Sequence, residues 1–172
     1  MGTPVTFPGD VIISGGLTVG SMALPAGSIG NSQIAALAGL DASKVVHRDW
    51  MEHELFGPAT PVAALTKRIA RMTANATLLS VSVEIEVQAT GGDRTVDVDI
   101  KKSSGGGAFA SILAAPIHLT NATAILTAVA GAFSNANLVA GDILEVTVAV
   151  AGIAANQAQG LGLTISLDRN PA

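Results

Sequence analysis

Apolar and polar residues alternate along much of the second half of the chain. From Leu79 to Val87 every second residue is Leu, Val or Ile, with Ser or Glu between them, and Gln88 follows. A period of two is typical of a β-strand with one buried face. The same alternation recurs in residues 95–101, 144–150 and 161–168. These segments predict strands whose Val, Ile and Leu side chains point inward.

Turn residues separate the predicted strands. Gly91, Gly92 and Asp93 lie between the first two, which predicts that these strands form an antiparallel hairpin. Shorter apolar runs at residues 112–113, 117–119 and 124–129 add further strands, and Gly141-Asp142 marks another turn. Six to eight short strands with such turns predict an all-β fold, a jelly-roll-like antiparallel β-sandwich.

The segment 59–72 fits two structures. Val62, Leu65, Ile69 and Met72 have the spacing of one helical face. The same segment also fits an edge strand on which Lys67 and Arg68 discourage pairing with other edges. The pattern leaves both open.

The first part of the chain has a different composition. Its large apolar residues are isolated among Gly, Ser, Asn and Ala, which cannot build a core alone. We therefore divide the chain into an extended N-terminal arm, residues 1–50, and a β-sandwich knob, residues 51–172; a disordered tail is the alternative for the arm. The residues expected to contact a partner are the apolar anchors of the arm: Leu24, Ile29, Ile34, Leu37, Leu40 and Val45.

Composition excludes several classes of protein. Apolar residues make up 49% of the 172 and charged residues 13%, about half the usual charged fraction of roughly 25%; disordered chains show the reverse. The net charge of −4 with scattered Lys and Arg does not favour nucleic acid binding.

Three uncharged stretches, 11–40, 103–141 and 146–167, are interrupted by Gly, Pro, Asn or Gln, so we expect no membrane span. We also expect no signal peptide. Excess apolar surface is often buried by oligomerisation.

The densest polar cluster is the segment from His47 to Glu54. A metal site that uses His47, His53 and a glutamate is one interpretation, although the spacing of zinc proteases is absent. The other is a polar junction between arm and knob, where Trp50 and Phe56 pack.

Other chemistry is sparse. Glu84 with Glu86, and Asp97 with Asp99, could perform acid–base work or bind calcium, but their alternation with apolar residues favours a solvated strand face. No cysteine or Gly-x-Ser-x-Gly nucleophile is present, and the triple glycine at 105–107 is not followed by the lysine of a phosphate loop. We expect no catalytic residue, metal or cofactor, and therefore no enzyme.

Two stretches resemble a known family. The first runs from residue 24 to 47 and contains Ala-Gly-Ser-Ile, then Asn-Ser-Gln-Ile and Asp-Ala-Ser-Lys-Val. The second lies within residues 62–169, and its marks are at 94–102, 141–146, 160–163 and 168–169. Both look like parts of tailed-phage head-fibre and capsid decoration (cement) proteins, in which an arm precedes a β-sandwich.

The resemblance implies a structural virion protein. Such proteins are typically homotrimers on the outer surface of the capsid, whose arms lie on the major capsid protein and bridge its subunits. Composition and charge, as argued above, give no nucleic acid or membrane partner. This chain lacks a long shaft, which favours a compact decoration role. A head-fibre or tail-fibre protein that recognises a host-surface glycan is the alternative.

Overall fold

The computed structural model describes residues 47–90, 94–152 and 157–169. This part of the chain forms ten β-strands and no helix, so it holds no helix that could cross a membrane. The expected all-β class is confirmed. The strands are β1 (His47–Pro61), β2 (Leu65–Arg71), β3 (Ala76–Val87), β4 (Thr95–Ser103), β5 (Ala110–Ser111), β6 (Ile117–Thr120), β7 (Val129–Gly131), β8 (Asn137–Leu138), β9 (Ile143–Ala151) and β10 (Gln159–Arg169).

The strands form two antiparallel sheets of five strands each. The first sheet has the order β1-β10-β3-β7, with β8 also paired to β3. The second has the order β2-β9-β4-β5, with β6 also paired to β4. The pairings are nested along the chain: β1 with β10, β2 with β9, β3 with β7 and β8, and β4 with β5 and β6. This nesting is the strand order of a jelly roll, which agrees with the expected fold.

The core lies between the two sheets and is aliphatic. Alternate residues of β4, β9 and β10 point into it, as expected, because each of these strands has one face against the opposite sheet. Leu144, Val146, Leu161 and Ile165 are all at most 1% exposed. Along one side the sheets are linked, because Leu113 forms a bridge with Phe133 and the Ala114 N–H donates to the Ala132 carbonyl.

The alternation predicted for β3 is wrong at both ends. Leu79 and Val87 are more than 40% exposed, whereas Leu78 is buried. Ser80 lies opposite Ser166 and Leu78 lies opposite Leu167, so Leu79 is an extra residue in a β-bulge. A bulge shifts the side-chain alternation by one residue.

The predicted hairpin between β3 and β4 is also wrong. β3 pairs with β10, β7 and β8 in the first sheet, whereas β4 pairs with β9, β5 and β6 in the second. Alternation reveals that a strand has one buried face, but two strands that cover the same core from opposite sheets carry the same pattern.

The structure resolves the alternatives at residues 59–72 in favour of strands. β1 ends at Pro61, and β2 forms the edge of the second sheet, where Lys67 and Arg68 are exposed. The apolar run at 124–129 is mostly not a strand: only Val129 belongs to β7, and Ile125 and Leu126 are exposed.

Asp142 holds several connections together at one end of the sandwich. Its buried carboxylate accepts hydrogen bonds from the Ser104 hydroxyl at 2.6 Å and from the Val139 N–H at 3.0 Å. Lys102 Nζ lies 3.5 Å from the same carboxylate. The Asp142 carbonyl accepts the Met72 N–H at 2.8 Å. Burial alone would raise the pKa of Asp142, but its hydrogen bonds from Ser104 and Val139 and the charge of Lys102 lower it.

Candidate interaction surfaces

The six arm residues expected to contact a partner lie outside the described residues. Their predicted role therefore stays a prediction. They are Leu24, Ile29, Ile34, Leu37, Leu40 and Val45.

The polar cluster from His47 to Glu54 forms the first half of β1. β1 is the edge strand of the first sheet and pairs only with β10 among the described strands. From Arg48 to Glu54 its odd-numbered residues are partly buried and face the second sheet, and its even-numbered residues form part of the outer surface. The expectation that Trp50 packs at a junction is wrong, because Trp50 is 63% exposed. Phe56 does pack against the core, where it is half-buried.

His53 lies on the inward side of β1 and is not part of a metal cluster. Its Nε2 atom is buried and has no hydrogen-bond partner. Burial lowers the pKa of His53, and the charge of Lys67 lowers it further. Within the described ranges, no three His, Asp or Glu side chains are placed to hold a metal ion together.

Four glutamates surround a shallow depression on the outer surface of the first sheet. Glu52 and Glu54 come from β1 and Glu84 and Glu86 from β3, and the depression has a volume of about 290 Å³. Gly160 and Gly162 of β10 lie between them. A Cβ atom at Gly160 would lie 2.6 Å from a Glu86 carboxylate oxygen.

The glycine at position 160 therefore gives Glu86 room to lie over β10. None of the four carboxylates forms an ion pair with a described residue. Glu84 and Glu86 are solvent-exposed, as expected.

The outer surface of the second sheet holds two polar pairs. Asp97 Oδ1 and His118 Nδ1 are 2.5 Å apart and each side chain is about half exposed. The Ser111 hydroxyl donates to Asp99 at 2.7 Å. Ser111 is thus bonded to a carboxylate and not to the imidazole of His118, so these groups do not form the serine–histidine–aspartate order of a hydrolase.

An ion pair and a tryptophan stand side by side on the edge strand β1. The Arg48 guanidinium donates to both carboxylate oxygens of Asp168, at 3.0 and 3.3 Å. This pairing raises the pKa of Arg48. Trp50 is in the next outward row, opposite Ser166, whose hydroxyl lies 2.6 Å from that of Ser80.

A second exposed region lacks charge altogether. Residues 103–141 include no Asp, Glu, Lys or Arg, and they form β5 to β8 and the connections around them. Ile125, Leu126 and Val139 are each more than half exposed there. Leu126 has a positive φ of 51° and its N–H donates to the Ile85 carbonyl. Positive φ is rare for a bulky residue.

Sequence reasoning missed the arrangement around β10. It placed Glu84 and Glu86 on a solvated strand face, and Glu52 and Glu54 in the polar cluster where the arm joins the knob. Only the pairing of β10 with both β1 and β3 brings them together. The density of polar residues from His47 to Glu54 was visible in the sequence, but the position of this segment at the edge of a sheet was not.

Comparisons with known proteins identify no family. No protein-family model matches the chain, and no curated protein does so. Among solved structures, a chain of the cyanophage Pam1 capsid asymmetric unit aligns with 72% of this chain and 84% of its own length. Its sequence identity is 12% and the TM-score is 0.47.

A chain of infectious bursal disease virus, Gx strain, aligns with 73% of this chain at 16% identity and a TM-score of 0.38. This chain spans only 33% of that longer one. With TM-scores below 0.5, these likenesses decide neither the family nor the function of the chain.

Proposed function

We propose that the chain is a structural protein of a virion. In this proposal it is a homotrimeric decoration protein on the outer surface of a tailed-phage capsid. Residues 1–50 act as the arm that attaches to the major capsid protein and bridges its subunits. The sandwich forms the exposed knob.

The jelly-roll strand order carries this proposal. Viral capsid domains use this fold, as do lectins and cupins. Fold alone does not determine function, so the strand order supports a viral role by analogy only. The resemblance of residues 24–47 to the arms of decoration proteins selects the viral use among these three.

The distribution of charge supports an assembled state. A charge-free region of 39 residues (103–141) with exposed Ile125, Leu126 and Val139 is unusual on the surface of a monomer. Interface cores are depleted in charged residues. In a ring of identical subunits, residues near the rotation axis meet their own copies, so a neutral surface avoids repulsion between like charges.

Attachment through an arm also requires several copies. Ordering an extended segment costs about 1–2 kcal/mol per residue, which isolated apolar anchors offset only against a large partner surface. A trimer would hold three arms at high effective concentration, so that weak contacts combine into stable attachment.

Apolar-to-acidic substitutions in the full-length chain test the attachment. The double variant Ile29→Asp/Ile34→Asp is expected to lose co-sedimentation with purified capsids, because both anchors become charged. Leu79→Asp is the matched control, since it makes the same kind of change at an exposed position of the sandwich that lies outside the charge-free region 103–141. Equal binding by all three proteins would contradict the proposed role of the arm.

Binding of the same proteins to host cells distinguishes the glycan-binding alternative from the decoration proposal. A fibre protein would bind host cells through its sandwich. The double arm variant and the control would then both still bind cells, whether or not they bind capsids. Binding to susceptible cells without binding to capsids would replace the decoration proposal with the fibre proposal.

A further inference from the structure

The outer edge of β1 is open and well suited to pairing with another strand. From His47 to Glu54 the strand is in continuous register with β10, and no described strand pairs with its other side. An exposed edge is a template for further pairing unless charges or bulges block it. The register shifts of β1 begin only after Glu54. A regular edge, unpaired among the described strands, thus extends from His47 to Glu54.

The charges of this edge are complementary to themselves. The outward-facing residues read Arg48, Trp50 and Glu52, with an apolar ring between opposite charges. When two copies of β1 pair antiparallel about a twofold axis at Trp50, Arg48 of each copy stands opposite Glu52 of the other. Directly opposed residues share a face, so all three stay on the outer surface.

The neighbouring contacts agree with this register. Arg48 already bonds to Asp168 on β10 and remains 58% exposed, so its guanidinium would lie between two carboxylates. Trp50 would meet its own copy at the centre of the contact, and exposed tryptophan is a frequent anchor of protein interfaces. Glu52 forms no ion pair with a described residue, so pairing would supply its missing cation.

The edge of the second sheet provides a contrast. Its strand β2 carries Lys67, Arg68 and Arg71 and no acidic residue. Self-pairing of β2 would therefore place like charges near each other, which is how proteins commonly protect an edge. The β1 edge thus carries charges of both signs, which can pair with a second copy of β1, whereas the β2 edge carries only positive charges, which repel a second copy of β2.

We propose that two copies of this chain associate through β1, antiparallel and centred on Trp50, to form one continuous sheet. The contact is small, of the size class below about 1,200 Å² that gives weak and transient association. It is distinct from a threefold contact and does not depend on the proposed function. In a trimeric protein it would join neighbouring trimers.

Charge exchange tests the pairing in the full-length protein. Sedimentation velocity and light scattering are measured from micromolar to millimolar concentration, together with the emission of Trp50, which is the only tryptophan in a chain without tyrosine. We expect the mass to rise with concentration, to a dimer if the chain is monomeric at low concentration and to linked trimers if it is trimeric, with a blue shift as Trp50 is buried.

Arg48→Glu and Glu52→Arg, each alone, are expected to weaken association about tenfold or more, because both symmetric pairs become repulsive. An equimolar mixture of these two variants is expected to associate again. When the two variants pair, the glutamate introduced at position 48 of one copy faces the arginine introduced at position 52 of the other. The remaining two facing residues are the original Glu52 and Arg48. The variant with both substitutions should associate like the original chain. Glu52→Arg leaves the Arg48–Asp168 pair intact, so it tests the proposal even if Arg48→Glu does not fold.

Glu54→Arg is the matched control, because in this register residue 54 does not face Arg48. Absence of any rise in mass up to millimolar concentration, or no recovery in the mixture, would overturn the proposal. So would recovery of Arg48→Glu by Glu54→Arg in place of Glu52→Arg, which would indicate another register. Capsid binding by Glu52→Arg is measured in parallel. If this variant still binds capsids, the β1 contact is independent of the proposed capsid attachment.

Discussion

Replacement of Asp142 tests how one end of the sandwich is held together. The carboxylate is 1% exposed and joins the connection after β4, the turn before β9 and the side chain of Lys102. Asp142→Ala removes the acceptor for the Ser104 hydroxyl and the Val139 N–H and leaves the Lys102 charge without its partner. The backbone hydrogen bonds of residues 141 and 142 with Met72 are unaffected by the substitution itself.

The cost follows from the number and kind of lost interactions. A hydrogen bond to a charged group contributes about 1.5–3 kcal/mol, and loss of one partner of a buried ion pair costs about 3–5 kcal/mol. Lys102 can turn toward solvent, because 17% of its side chain is exposed. We therefore expect Asp142→Ala to lower the free energy of unfolding by about 3 kcal/mol and Asp142→Asn by about 2 kcal/mol.

Urea unfolding followed by far-ultraviolet circular dichroism measures both values. Asp97→Asn is the matched control: its carboxylate also has a partner, His118, but is 42% exposed, so its loss is expected to cost less than about 1 kcal/mol. Because the pKa of Asp142 is lowered in the folded state, its contribution is present above the pKa of the unfolded chain. It is lost as pH falls through the lower, folded value. An Asp142→Asn variant as stable as the original chain would refute this reasoning.

Two further predictions concern the first sheet. Gly160→Ala is expected to lower the free energy of unfolding by about 1 kcal/mol, because Gly160 has a φ of 62°. Gly162 has no positive φ, so Gly162→Ala should lower it measurably less in the same urea titration. Equal losses for the two variants would contradict the argument. The unfolding free energy is also expected to depend on His53, whose folded pKa is lowered. Its contribution is complete above the unfolded pKa of about 6.5 and is lost as pH falls through the folded value. His53→Gln should remove this part of the pH dependence in urea titrations from pH 7.5 to 5, and an unchanged profile would show that His53 is not its source.

The sequence predicted the buried faces better than the partners of each strand. Val96 and Val98, and likewise Leu161 and Leu163, alternate with other residues because the opposite sheet covers one face only. Strand pairing is a long-range property, and β3 and β4 cover the same core from different sheets with the same pattern. At the bulge, Leu78 and Leu79 are adjacent and equally apolar, so hydrophobicity does not indicate which of the two is buried.

The candidate surfaces were predictable only in part. Glu84 and Glu86 were expected on a solvated face, and they are exposed. Their proximity to Glu52 and Glu54 depends on β10, whose pairing with two strands distant in sequence could not be inferred from local spacing. The exposure of Trp50 was missed because the residue was expected to pack at the junction between arm and knob, whereas it lies on the outward face of the edge strand β1.

The most direct measurement of the central proposal is made on intact particles. Tailed-phage particles are purified from an infection with and without expression of this chain and compared by cryo-electron microscopy and by mass spectrometry of their proteins. We expect the chain in the purified particles, with threefold density on the outside of the head that disappears when the chain is absent. Particles that contain none of the chain, and have the same outer surface in both preparations, would contradict a structural role in the virion.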